Sequence, residues 1–483
     1  MRADSSGGHT VRSARILGAM SAATESAPTG FLERRFHLTE RGTSVRAEAL
    51  GGLATFLTMS YILFVNPAIL SAADMPFTAV AVATAIVSCV ATLAMGLFTN
   101  LPFALAPGLG INAVVAFDIV LGRGLEWPVA MSIIVIEGLI ALVLVLAGLR
   151  AAIMRAVPLE LKLWIGVGIG LFITLVGLRE GGIVVNNPAT GIGLGDLTNG
   201  PPLIALGGIA VAAVLVARRV RGAVILGVIA ACVLGLIFGV LDGPDGVVDV
   251  PASADFSTIG DGVDPSNLAD ALTVALIPVI FALFMTDFFD TIGTAVAVGR
   301  SGGLTDERGE MEGTDRLLVV DSAAASFGGA MGTSSVTTYV ESGAGVAEGA
   351  RTGLSSVVVA ALFGLAILFT PIIALVGQDV QVGEETFIHP AIAPALVMVG
   401  FLMIRIVADI DWTVPEASIP AFFTIAGIPL TFSIAAGIGL GVLSYVLVMV
   451  ATGKARGVHP LMWAIAPFFV AFFAADWLSA NVF

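Results

Sequence analysis

The 483-residue chain is short of charge, of cysteine and of the residues that usually carry catalysis: 12% of its residues are charged, and it holds four histidines, two cysteines and three tyrosines. With 57% hydrophobic residues and a mean hydropathy of +1.01, so little charge excludes an ordinary soluble globular protein. The fold class is therefore read as an all-α polytopic membrane protein. Cys89 and Cys232 both fall in apolar segments, so no disulfide framework is indicated. The apolar segments contain no zinc-ligand spacing, no phosphate loop and no Ser-His-Asp set, and His9, His37, His389 and His459 fall in the tail or at segment ends. No enzyme, metal site or cofactor is expected. A net charge of -14 without a basic patch excludes nucleic acid as a partner. Residues 1–45 lack a long apolar run, so no cleaved signal peptide is expected and they are read as a cytoplasmic tail, with a short interfacial segment between Phe31 and Arg46.

What the chain has instead is a succession of apolar segments: roughly 47–70, 78–99, 101–120, 127–149, 158–178, 202–217 and 222–241, then 268–298, 317–331, 336–349, 353–376, 389–408, 416–431 and 433–452. Most reach the ~20 residues that a spanning helix needs; the third, tenth and thirteenth are short or broken. A further stretch, His459 to Ala475, contains Pro467 and is read as a partial span or an interfacial helix. Basic residues accumulate on the cytoplasmic side of membranes. With the N-terminus inside, Arg150, Arg155, Lys162, Arg218, Arg219, Arg221, Arg300, Arg308, Arg316, Arg351, Arg405, Lys454 and Arg456 all fall inside; Arg123 and Arg179 fall outside. The seven aspartates and no basic residue from Asp242 to Asp270 suit an external loop. The expected organisation is a tail (1–45), a first repeat of seven spans (46–242), an acidic extracytoplasmic loop (243–267), a second repeat of seven (268–453) and a C-terminal apolar segment (454–483).

Phe284 to Gly299 organises the rest. On a helix, Asp287, Asp290, Thr291 and Thr294 lie at i, i+3, i+4 and i+7, a single polar stripe on an otherwise apolar cylinder. A charge at bilayer depth costs about 2.5 to 3.5 kcal/mol even on lenient scales, so this stripe points to function. A repeat of seven spans must be inverted relative to its copy. A displacement of 229 residues carries Thr58 onto Asp287 and Asn112 onto Glu341, and so matches the third segment with the tenth. Both are irregular: Pro107-Gly108-Leu109-Gly110 predicts extended backbone that turns helical near Asn112, and Thr333 to Val340 is rich in strand formers before a short helix opens at Glu341. Broken segments at matching positions in two halves mark the midplane site of a transporter.

Thr55 to Leu70 (TFLTMSYILFVNPAIL), Ala106 to Phe117 (APGLGINAVVAF), Thr286 to Arg300 (TDFFDTIGTAVAVGR), Gly332 to Arg351 (GTSSVTTYVESGAGVAEGAR) and Ile419 to Gly437 (IPAFFTIAGIPLTFSIAAG) resemble, in order, the AzgA-like purine permeases of the nucleobase-ascorbate transporter (xanthine/uracil permease) superfamily. The resemblance covers the chain from about residue 35. It implies fourteen transmembrane segments in two inverted repeats of seven, a core domain of spans 1–4 and 8–11, a gate domain of spans 5–7 and 12–14, and a homodimer. It implies that Asn112, Asp287, Asp290 and Glu341 stand at the substrate site. It also implies proton-coupled import of purine nucleobases, adenine or guanine and hypoxanthine, across the plasma membrane; the eighth span lacks the histidine of uracil-transporting relatives, which points to the purine branch.

The residues support the same chemistry. A purine is flat and uncharged, with N–H donors and nitrogen or carbonyl acceptors on its edges. Asp287 and Glu341 can accept its N–H groups, Asn112 and free backbone N–H groups can donate, and Phe56, Phe288 or Tyr339 can supply a stacking face. Asp287, Asp290 and Glu341 are the candidates to carry a coupling proton, since a buried carboxylate beside a like charge can take up and return one during a cycle. Asn112 or Glu341 acting as a simple helix cap is the plainer alternative. An anion exchanger or a channel on the same inverted-repeat fold is the alternative function, although the two carboxylates would repel an anion and paired broken helices suit a closed site. The G-x-G-D of Gly193 to Asp196, reminiscent of intramembrane proteases, falls in a polar loop outside membrane depth.

Overall fold

The computed structural model describes residues 30–148, 159–244, 246–273, 276–305, 311–382 and 387–481. The tail before residue 30 and the expected inside positions Arg150, Arg155 and Arg308 lie outside the described residues. After a short α1 (Phe31–Phe36), the first span is α2 (Val45–Met59) and α3 (Ile62–Ser71), broken at Ser60 and Tyr61. There follow α4 (Phe77–Thr99), β1 (Leu105–Pro107), and α5 (Leu109–Ala113), which runs on as a π-helix to Gly122. Then come α6 (Trp127–Leu146), α7 (Leu159–Glu180), the hairpin β2 (Val184–Asn187) and β3 (Gly191–Leu194), α8 (Gly200–Ala217) and α9 (Ala223–Ile237). The acidic connection contains α10 (Pro265–Ala271).

The second half repeats the pattern. It consists of α11 (Ile277–Ser301), α12 (Thr314–Ala330), β4 (Val336–Thr338), α13 (Ser342–Ala347), α14 (Gly353–Ala366) extended by α15 (Thr370–Val376), the hairpin β5 (Val380–Gln381) and β6 (Phe387–Ile388), α16 (Ala393–Ile404), α17 (Pro415–Thr431) and α18 (Ile434–Ala451), followed by α19 (Pro460–Asn481). Among the described residues eight helices are long and apolar enough to cross a membrane, and Leu109–Gly122 and Ala223–Ile237 are shorter apolar helices.

One expected boundary needs correction, and two local features go beyond the sequence reading. The eighth span begins at Ile277 rather than 268, because Asp264 accepts from Ser266 N and Pro265 takes the first helical position, so residues 265–271 close into a separate short helix. The third span carries a π-helical half from Val114 to Gly122 that no residue pattern announced. The stretch after His459 is one continuous helix through Pro467. Gly193 and Leu194 of the G-x-G-D lie in β3, paired with Val185 and Val184 in a hairpin between apolar helices.

The helices pack in two groups. In one, α14 packs on α2 and α4, and α12 on α4 and α6; in the other, α7 packs on α16 and α17, α8 on α9 and α16, and α17 on α18. Glycine makes the closest approaches possible: a Cβ on Gly353 would lie 2.0 Å from the Gly96 carbonyl oxygen. A buried acid locks α2 to α14. Glu48, fully buried, accepts from Arg351 N (2.7 Å), Thr352 N (3.1 Å) and Ser355 N (3.1 Å), which satisfies free N–H groups at the start of α14.

Candidate functional site

Two broken segments meet at the centre of the first group. Pro107 and Gly108 keep the third segment out of helix, and the β-branched Val336, Thr337 and Thr338 favour extension in the tenth. The strands pair antiparallel, Leu105 with Thr338, Ala106 with Thr337 and Pro107 with Val336. The pairing is prolonged by Tyr339 N to Ala104 O (2.9 Å) and Gly108 N to Ser335 O (2.8 Å). Each strand thereby supplies the backbone partners that hydrocarbon cannot. The Tyr339 hydroxyl donates to the Pro107 carbonyl at 2.5 Å, and the Ser342 hydroxyl accepts from Ala104 N at 3.0 Å. The short helices α5 and α13 leave from this crossing, and α11 packs beside both.

The polar stripe of α11 faces it. Asp287 is 2% exposed, and among the described residues its Oδ1 has no hydrogen-bond partner. The charges acting on it are Glu137, Asp321 and Asp290, all carboxylates. Asp290, one turn on, is exposed and faces Glu341, so this end of the stripe opens outward while Asp287 is sealed. Glu341 precedes α13 but makes no side-chain cap; it accepts a hydrogen bond from the Tyr61 hydroxyl at the break between α2 and α3. Asn112 is no cap either. Gly108 holds that position, and Asn112 is fully buried inside α5 with both side-chain polar atoms unpartnered among the described residues, as are Ser60 Oγ, Ser334 Oγ and Ser335 Oγ. Buried polar atoms are ordinarily satisfied, so such a concentration marks a place built to meet something other than the protein.

The aromatic candidates are engaged with their own neighbours. Phe56 packs edge-on to Phe363 (5.2 Å between centroids), Phe288 tilts against Phe284 (5.6 Å), and Tyr339 is 6% exposed beside the strand pair. Three residues escaped the sequence reading. Tyr61 was hidden because its partner is remote in the chain. Asp321 on α12 receives Thr291 Oγ1 (2.7 Å) and Thr338 Oγ1 (2.8 Å), which explains one hydroxyl of the stripe. Glu137 sits in the middle of α6, fully buried. A lone acid in an apolar run was the available signal for Glu137 and Asp321.

On the side of the β2–β3 hairpin the two packing groups are joined. Phe117, in the π-helical stretch, stacks edge-on with Phe172 of α7 (5.4 Å) and Phe432 (6.2 Å), and Phe172 with Phe432 (5.3 Å). Arg179 lies over the Phe432 ring at 5.1 Å. Asp118 accepts from Ser433 Oγ (3.0 Å) and pairs with Arg123 Nε (3.2 Å). Phe432 holds a left-handed backbone (φ 53°) between α17 and α18, which turns its ring into this cluster.

The Xan_ur_permease model, described as a permease family, matches residues 46–440. The chain is 42% identical to the guanine/hypoxanthine permease PbuG of Bacillus subtilis, over 91% of this chain and 98% of that one. It is 38% identical to the adenine permease AdeP of Escherichia coli, over 92% and 97%. Among solved structures, the transmembrane domain of the cyanobacterial bicarbonate transporter BicA aligns over 81% of this chain and 97% of its own with a TM-score of 0.57 at 16% identity. That likeness is one of fold: seven spans and their inverted copy.

Proposed function

From the premise that this chain belongs to the nucleobase-ascorbate transporter family of permeases, multi-pass membrane transport proteins and not enzymes, we propose that it imports purine nucleobases by proton symport through alternating access. The observation that carries the reading is the convergence of polar groups on the strand crossing: buried, unpartnered Asn112 as donor, buried Asp287 with one unpartnered oxygen and part-buried Glu341, held by Tyr61, as acceptors, on elements that lead directly from β1, β4 and α11. A purine edge offers the complementary N–H and ring-nitrogen groups. The relatives named for adenine and for guanine/hypoxanthine transport support the substrate class.

The two packing groups act as core and gate. The Phe117–Phe172–Phe432 cluster closes the hairpin side, while exposed Asp290 and Val340 leave the site reachable from the other, which the distribution of basic residues assigns to the cytoplasm. Rocking one group against the other would open the aromatic side and cover Asp290. The carboxylates disfavour an anion as substrate.

The test is uptake of labelled adenine, guanine, hypoxanthine, xanthine and uracil into cells that lack their own permeases. Purine uptake should rise as external pH falls from about 8 toward 6 and collapse with a protonophore. Transport of no nucleobase would overturn the substrate reading; uptake that follows sodium and ignores pH would overturn the coupling ion.

A further inference from the structure

Glu137 is the buried acid for which the substrate site has no use. It lies mid-way along α6, is fully buried, and neither carboxylate oxygen has a hydrogen-bond partner among the described residues. An acid in such a place is costly as a bare anion. The backbone around it is fixed by close packing. A Cβ on neighbouring Gly138 would fall 2.4 Å from Ser326 N of α12, and one on Gly329 would fall 2.8 Å from the Met131 carbonyl, so α6 and α12 are in close backbone contact here.

The titratable groups that act on Glu137 come from the two helices packed on this part of α6: Asp287 of α11 and Asp321 of α12. The acidic connection touches α6 lower down, where Ser132 Oγ donates to Gly262 O (2.9 Å), about a turn and a half before Glu137. Asp321 already has two hydroxyl donors. Glu137 and Asp287 are left, and the hydroxyl of Ser335 is the donor they have in common, without normal hydrogen-bond geometry to either. Two buried carboxylates on packed helices, without a base beside them, disfavour double ionisation and call for one proton between them. Among the described residues no group of three or more His, Cys, Asp and Glu side chains is spaced to hold a metal ion.

We propose that Glu137 and Asp287, bridged through Ser335, form a site for one exchangeable proton, and that this pair is the coupling site of the transporter. The inference rests on the proton-symport reading and locates the proton behind the substrate site. A proton from the outer solution forms an O–H bond on Glu137, linked through the Ser335 hydroxyl to Asp287; the pair then carries one negative charge. Asp287 keeps a free oxygen for a purine N–H. When the site faces inward the O–H bond breaks, the proton leaves to water, and the empty, deprotonated pair returns to the outward-facing state, where a new proton binds before the next purine. Asp290, Glu341 and Tyr61 form a separate set that meets the substrate.

The experiment compares wild type with Glu137→Gln in proteoliposomes, reading purine exchange without a gradient, accumulation driven by an imposed pH gradient, and the infrared band of a protonated carboxyl as pH is raised. In Glu137→Gln the ratio of driven accumulation to exchange should fall by roughly an order of magnitude, and a titrating carboxyl band present in wild type should be missing. If Glu137→Gln does not fold, Glu137→Asp, with its shorter reach, should show a lowered ratio and a shifted band. Wild-type accumulation in Glu137→Gln, or an unchanged band, overturns the pair; accumulation driven by sodium in wild type and lost in Glu137→Gln overturns its occupant. If wild type moves no purine, the transport reading fails while the infrared titration still decides the pair.

Discussion

The Tyr61 hydroxyl donates to the Glu341 carboxylate, tying the break in the first span to the start of α13 across 280 positions of chain. Glu341 is thereby held with one oxygen committed to Tyr61. Tyr61→Phe should leave the protein folded and weaken purine binding by roughly tenfold, because losing a hydrogen bond to a part-buried carboxylate costs about 1 to 3 kcal/mol. Calorimetric titration with guanine and adenine checks it; an unchanged affinity would place Glu341 outside the purine contacts.

Asn112→Ala deletes donors that no protein group uses, so thermal stability should hold while purine binding weakens. Glu341→Gln keeps the shape but turns one acceptor into a donor, and should abolish or redirect recognition, again at about 1 to 3 kcal/mol. Competition profiles identical to wild type in both variants would move the site elsewhere.

Asp118 and Ser433 fasten the hairpin-side closure. In Asp118→Asn a cysteine placed at exposed Val340 should react from the hairpin side with an impermeant thiol reagent up to about tenfold faster than in the unmodified background, because the closed state loses a charge-assisted bond worth about 1 to 2 kcal/mol. The same labelling tests topology: a cysteine at Ser257 should react from outside intact cells and one at Ser301 should not. Reaction of both from one side would break the inversion.

His389 lies between two carboxylates beyond the spans, Nδ1 2.7 Å from Glu180 and Nε2 2.9 Å from Asp379. Burial alone would lower the imidazole, but the hydrogen bond and charge of Glu180, joined by Asp379, carry it above its usual value. A group raised in the folded state stabilises fully below its unfolded value of about 6.5 and loses that contribution as pH rises through the folded value. Thermal stability should therefore decline as pH is raised above about 6.5, by about 1 kcal/mol for this partly exposed set, and His389→Gln should flatten the profile. A melting curve whose pH dependence survives the substitution rejects the role.

Composition and hydropathy alone determined that this chain lives in a membrane, because nothing else accommodates so much apolar sequence. The period of 3.6 placed Asp287, Asp290, Thr291 and Thr294 on one face, and Pro107-Gly108 and Val336-Thr337-Thr338 marked where helices had to fail; these are local properties of backbone and side chain, legible in one dimension. The partners of those residues were not. The cap alternative for Glu341 gave way to its bond with Tyr61, that for Asn112 to a helix that begins three residues earlier, and Glu48, which no local pattern singled out, closes the start of α14. Glu137 and Asp287 lie 150 positions apart on different helices, and only the packing of α11 on α6 brings the two acids into one interior. Side-chain chemistry travels with the sequence, but which groups share a dry interior depends on how closely helices pack, and that is decided in three dimensions.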